Sequence, residues 1–121
     1  MHTKEIRYGN VISDKLYFSK CLTCLGFSKH YLGFFYMVLI LDLLINKNVP
    51  AKSFSKNIYP MVAKIYKKAE CTVERDIRIL LNNCDHNMLY QHLNYDYNKN
   101  GKLKCCGFIK LVKDYVLNSL M

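Results

Sequence analysis

The stretch "CTVERDIRILLNNC", residues 71–84, decides what kind of fold to expect. Val73, Ile77, Leu80, Leu81 and Cys84 recur at i, i+4, i+7, i+8 and i+11, the period of an amphipathic helix. Glu74, Arg75 and Arg78 share the opposite face, with Asn82 one turn further on. Lysine is this chain's default cation, at 15 Lys to 3 Arg, yet two of the three arginines stand here. Arginine is the planar, two-pronged donor, so its placement carries information that a lysine's does not.

Working upstream, Ile58, Val62, Ile65 and Tyr66 mark a second amphipathic helix, with Ser53 or Ser55 as its cap and Pro60 either in its first turn or kinking it. The polar break "KKAEC" (67–71) separates the two. Such a pair, the first helix striped with lysine, is the pattern of a helix-turn-helix, whose second helix enters the DNA major groove. Arg75 and Arg78 can each donate two hydrogen bonds to guanine, and Glu74 can accept one from cytosine. Lys56, Lys64, Lys67 and Lys68 then meet phosphates. A plainer reading stands beside this one. Glu74 and Arg78, four apart, can simply brace a solvated helix, and the break lacks the glycine common in such turns.

The remaining chain reads as helices. One runs from near Ser13 to Leu25, carries Cys21 and Cys24 on one face with Phe18, Leu22 and Leu25, and is closed by Gly26. "YLGFFYMVLILDLLI" (31–45) is apolar all round and predicts a central buried helix. "NKNVP" (46–50) is a turn, a weaker helix covers Met88 to Leu93, and a last one runs from Phe108 to near Leu120. That last helix turns Phe108, Leu111, Val112, Tyr115 and Val116 inward. No strand pattern is visible. The fold class expected is all-α, a compact bundle of about five to six helices containing a helix-turn-helix. Residues 1–16 form a short N-terminal extension and 17–121 the domain.

The chain has 121 residues and a formal charge of +9, which points to a polyanionic partner. Six lysines and no acid lie between Leu43 and Ala69, and five lysines and no acid between Lys99 and Lys113. The apolar run at 31–45 is shorter than the roughly 20 residues a membrane span needs, and no secretory signal is apparent. A cytoplasmic protein without a membrane partner is expected. "CLTC" (21–24) has metal spacing, but no second such pair accompanies it, and His86 and His92 lie far downstream. "DYNKNG" (96–101) imitates half of a calcium loop, yet Gly107 occupies the position that requires a bidentate glutamate. No metal, cofactor or enzymatic constellation is expected.

The segment "YPMVAKIYKKAECTVERDIR" (59–78) resembles the C-terminal effector-domain family of sporulation-initiation response regulators (stage zero sporulation protein A). It is similar to that family's Tyr-Pro-x-Ile/Val-Ala-Lys pattern followed at fixed distance by Val-Glu-Arg-x-Ile-Arg. "GFSKHYLGFFY" (26–36) and "GFIKLVKDYV" (107–116) extend the likeness over roughly residues 17–117. The resemblance implies a six-helix, helix-turn-helix transcription factor that binds a short promoter box in double-stranded DNA, often as tandem copies. Its base contacts correspond to Glu74, Arg75 and Arg78. Thr72 stands where the family has an arginine and is assigned to the DNA backbone. Ile79 replaces a family histidine, "LLNNCDHN" replaces an apolar-tryptophan segment, and the family's basic tail is missing. A receiver domain of about 120 residues has no room ahead of this domain, so a stand-alone regulator without a phosphorylation switch is expected. The other partners implied are a second copy on tandem sites or a full-length sporulation regulator. A module that pairs or competes with that regulator is the alternative function, through the last helix or the tyrosine-rich "YQHLNYDY" (90–97).

Overall fold

A computed structural model describes residues 11–101 and 104–119, with side chains from Lys15 onward. The first ten residues and the helix end near Leu120 lie outside that range. Seven helices follow one another among the described residues: α1 Val11–Cys24, α2 Leu32–Ile45, α3 Ile58–Tyr66, α4 Glu70–Asn82, α5 His86–Leu93, α6 Tyr97–Asn100 and α7 Cys105–Ser119. Among the described residues the regular structure is all helical, as the periodicities require. α1 starts at Val11, so Ser13 lies within its first turn rather than capping it, and the helix crosses the boundary drawn at residue 16.

α2 is the axle of the bundle. Gly33, Phe34, Tyr36, Met37, Val38 and all six residues from Ile40 to Ile45 are buried, as expected of a helix apolar on every side. α1, α3, α4 and α7 all pack around it. Phe34, Met37, Ile40 and Leu41 of α2 meet Leu22, Ile58, Val62, Val73, Ile77, Leu80, Phe108 and Val112 in one continuous core. Burying a large aliphatic or aromatic side chain of this kind contributes about 1.5–3 kcal/mol. The stabilisation is therefore spread over every helix that touches α2.

The connections are set by local chemistry. Gly26 adopts φ +98°, and behind it Phe27 N–H donates to Leu22 O while Gly26 N–H donates to Thr23 O, each at 3.0 Å. That pair of bonds satisfies the last carbonyls of α1 and requires a left-handed residue, which glycine supplies without a Cβ penalty. Asp85 caps α5, its Oδ1 accepting from Met88 N–H at 3.1 Å. Asp96 caps the single turn of α6 in the same way, through Lys99 N–H. The "DYNKNG" segment is thus a capped turn, ended by Gly101 at φ +77°. Among the described residues no helix is long and apolar enough to cross a membrane.

Four expectations need correction. Neither Ser53 nor Ser55 caps α3; Asn57 is its N-cap and makes no side-chain cap bond. The entry turn is closed instead by Phe54 O, which accepts from both Ile58 N–H and Tyr59 N–H. Ile65 and Tyr66 do not join the core but are 57% and 40% exposed, because Tyr59 and Ala63 fill the inward face with Ile58 and Val62. Cys21 is buried and Cys24 exposed, so only the first faces inward with Phe18, Leu22 and Leu25. Finally, in α7, Ile109 is buried where Leu111 and Tyr115 are only partly so.

Candidate nucleic-acid interface

The helix-turn-helix is assembled from α3, the three residues Lys67–Ala69, and α4. The break is shorter than "KKAEC" suggests, because Glu70 and Cys71 already belong to α4. Lys67 makes the corner, at φ 56° and ψ 49°. A lysine here does what glycine usually does, and Lys68 N–H donates back to Ala63 O at 2.9 Å to close the turn. Ala69, in extended conformation, starts α4 with no side-chain cap.

α4 lays its apolar stripe on α2. Val73, Ile77, Leu80 and Leu81 are buried. Close approach depends on Gly33, since a Cβ there would fall 2.9 Å from the Asp76 carbonyl carbon and 3.0 Å from Leu80 Cβ. The opposite arc of α4 faces solvent: Cys71, Arg75, Arg78, Ile79 and Asn82 are exposed, while Glu74 and Thr72 are half-buried at its edges. Lys56, Lys64, Lys67 and Lys68 are all exposed, on α3 and the turns that flank it. Each residue assigned from sequence to DNA is therefore at least partly open to solvent, and all but Lys56, which precedes α3, lie on the helix-turn-helix unit.

The brace between Glu74 and Arg78 is not made. Among the described residues the one ion pair is Arg75 Nη2 to Asp76 Oδ1, at 3.5 Å. Glu74 and Arg78 instead line a cleft of about 560 Å3 with Phe54, Tyr59, Lys104 and Cys106. Burial pushes the Tyr59 hydroxyl far up, with the Cys105 thiol and Glu74 adding to it and Arg78 opposing. Arg78 lines this cleft together with the rings of Phe54 and Tyr59.

Sequence reasoning missed two features of the site. Lys104, Cys105 and Cys106 come to the cleft from the start of α7, which no local pattern could reveal. Asp76, the acid inside "ERDIR", is buried. The one available signal was its register, three residues after Val73 and four before Leu80, which puts an acid on the core flank. No grouping of three or more potential metal ligands occurs among the described residues.

Compared with known proteins, residues 18–116 match the family described as "Sporulation initiation factor Spo0A C terminal". No curated protein matches the chain.

Proposed function

Because this chain belongs to the Spo0A C-terminal family of DNA-binding effector domains, we propose that it is a sequence-specific transcriptional regulator that acts in the cytoplasm and reads a short promoter box with α4. In this reading Arg75 and Arg78 each grip a guanine, Glu74 accepts from a cytosine, and Lys56, Lys64, Lys67, Lys68 and Thr72 engage the phosphate backbone. The observation that carries it is the exposed arc of α4. It bears two arginines of a lysine-rich chain, next to lysines on α3 and the turn and against a helix otherwise anchored in the core. The charge of +9 supplies the sequence-independent attraction. The proposal includes no catalytic step.

The test is fluorescence-anisotropy binding to a duplex carrying the family's promoter box and to a scrambled duplex, at physiological salt. The box should be preferred by about 100-fold or more. Arg75→Ala should lose on the order of 1–3 kcal/mol on the box and relax one base position, whereas Lys68→Ala should weaken both duplexes alike. Equal, weak binding to both by the unsubstituted protein refutes the reading.

A second reading, a module that pairs or competes with a full-length sporulation regulator, draws support from the surface of α1–α3. Leu16, Phe35, Ile65 and Tyr66 are all exposed there, the last three around a shallow cleft with Leu39. Co-purification with such a regulator in the absence of DNA favours this reading over the first.

A further inference from the structure

Arg75 and Arg78 stand one turn apart on the same helix, yet they are held differently. Arg78 makes no hydrogen bond or ion pair within the described residues. Arg75 leans back on its own neighbour, Nη2 reaching Asp76 Oδ1 at 3.5 Å. Consecutive helical residues point about 100° apart and do not face each other. The contact therefore requires the Arg75 side chain to lie along the flank of α4, away from the middle of the exposed arc.

The carboxylate it reaches is in an unusual position. The Asp76 side chain is only 11% exposed, and its second oxygen is buried with no hydrogen-bond partner. Tyr36 of α2 carries the same defect, a buried hydroxyl with no partner, and its ring packs edge-on to Tyr66 of α3 at 4.9 Å. Burial, then the charge of Asp76, push the Tyr36 hydroxyl up, while Arg75 opposes them. An anion short of donors at the core's edge is costly unless a cation compensates it. Arg75 is the one cation paired with it, and at 62% exposed it is still free to leave.

We propose that Asp76 is a positioning residue for Arg75: its half-satisfied carboxylate holds the guanidinium against the flank of α4 in the free protein, and base reading requires that contact to open. The proposal rests on α4 being the reading helix. Its consequence concerns specificity. Every duplex that draws Arg75 outward must break the same contact. A guanine edge, accepting two hydrogen bonds, compensates for that loss better than a single phosphate oxygen does. Asp76 therefore weakens binding by the full cost of that contact where Arg75 is drawn onto a base, and by less where a poor match leaves the contact closed.

The experiment is a double-substitution cycle of Asp76→Asn and Arg75→Ala, with the full chain, on the box and scrambled duplexes. Asp76→Asn, which keeps shape and removes charge, should tighten binding by about two- to five-fold, as expected for releasing a largely exposed ion pair. The gain should be at least as large on the box as on the scrambled duplex and should vanish in the Arg75→Ala background. An equal gain in both backgrounds would mean that Asp76 acts only as a nearby negative charge, and would overturn the proposal. In the DNA-free protein, the side-chain Nε–H resonance of Arg75 should move on Asp76→Asn while that of Arg78 stays. An unmoved Arg75 signal also overturns it. This second measurement stands even if no duplex is preferred, which separates failure here from failure of the DNA-reading assignment. Asp76→Ala must repeat the cycle, and urea denaturation of each variant shows that the fold is intact.

Discussion

Replacing Gly33 with alanine should separate the core's tolerance from the reading helix's needs. In an ordinary helix the change would be favourable by up to about 1 kcal/mol, since alanine restricts the unfolded chain more and fits the helix better. Here the new methyl would meet the Asp76 carbonyl carbon at 2.9 Å and Leu80 Cβ at 3.0 Å, and would come closer still to the Asp76 carbonyl oxygen. Backbone cannot rotate out of the way as the end of a flexible side chain can. Overpacking of this type costs about 1–3 kcal/mol, so after the propensity gain a net loss of about 1–2 kcal/mol is expected. For a chain of this size that is roughly a 3–8 °C fall in Tm. The displaced group is the middle of α4, between Arg75 and Arg78, so affinity for the box should fall further than the unfolded fraction explains. Urea denaturation followed by circular dichroism gives the first quantity and anisotropy the second. A Gly33→Ala protein as stable as the unsubstituted one, with undiminished affinity for the box, would refute the close approach of α2 and α4 on which this reasoning rests.

Two other outcomes follow from single sites. Asp85→Ala removes the cap on α5, where Oδ1 accepts from Met88 N–H, and should lower stability by about 0.5–2 kcal/mol in urea denaturation without altering box affinity. Alkaline pH should weaken the fold: burial raises Tyr17 from 10.0 to about 12 and Cys84 from 9.0 to about 11. Both groups hold their protons more tightly when folded, so their contribution is complete below pH 9.0 and is lost as pH rises through about 11 and 12. A urea midpoint that stays flat from pH 9 to 12 would contradict that assignment.

What the sequence revealed was what periodicity can encode. α2 is apolar on every side and α4 on one, so their burial followed from spacing alone, and with it the exposed arc bearing Arg75 and Arg78. Gly26 was legible as a helix stop because its left-handed conformation is cheap only for glycine. Most of the errors share a cause: they depended on a neighbour distant in sequence. Ile65 and Tyr66 keep the helical period but point to solvent, because the inward face of α3 is already filled by Tyr59 and Ala63. Asp76 looks like a surface acid until α2 covers it. The cleft beside Arg78 needs the start of α7, some twenty-five residues away in the chain. The serine caps failed for a local reason, since Asn57 starts α3 and the preceding turn bonds backbone to backbone.

The lysine at the corner between α3 and α4 has a consequence of its own. Lys67 sits in the left-handed region at φ 56°, a conformation that strains any residue with a Cβ by about 1–2 kcal/mol. Glycine would relieve that strain, but it would also open a wide basin of backbone angles and let the two helices swing. A lysine has only a narrow well there. The angle between positioning helix and reading helix is thus stiffened when the protein folds, and little backbone freedom at this joint is left to lose when a duplex arrives. Rigidity bought during folding is rigidity that a DNA site need not impose.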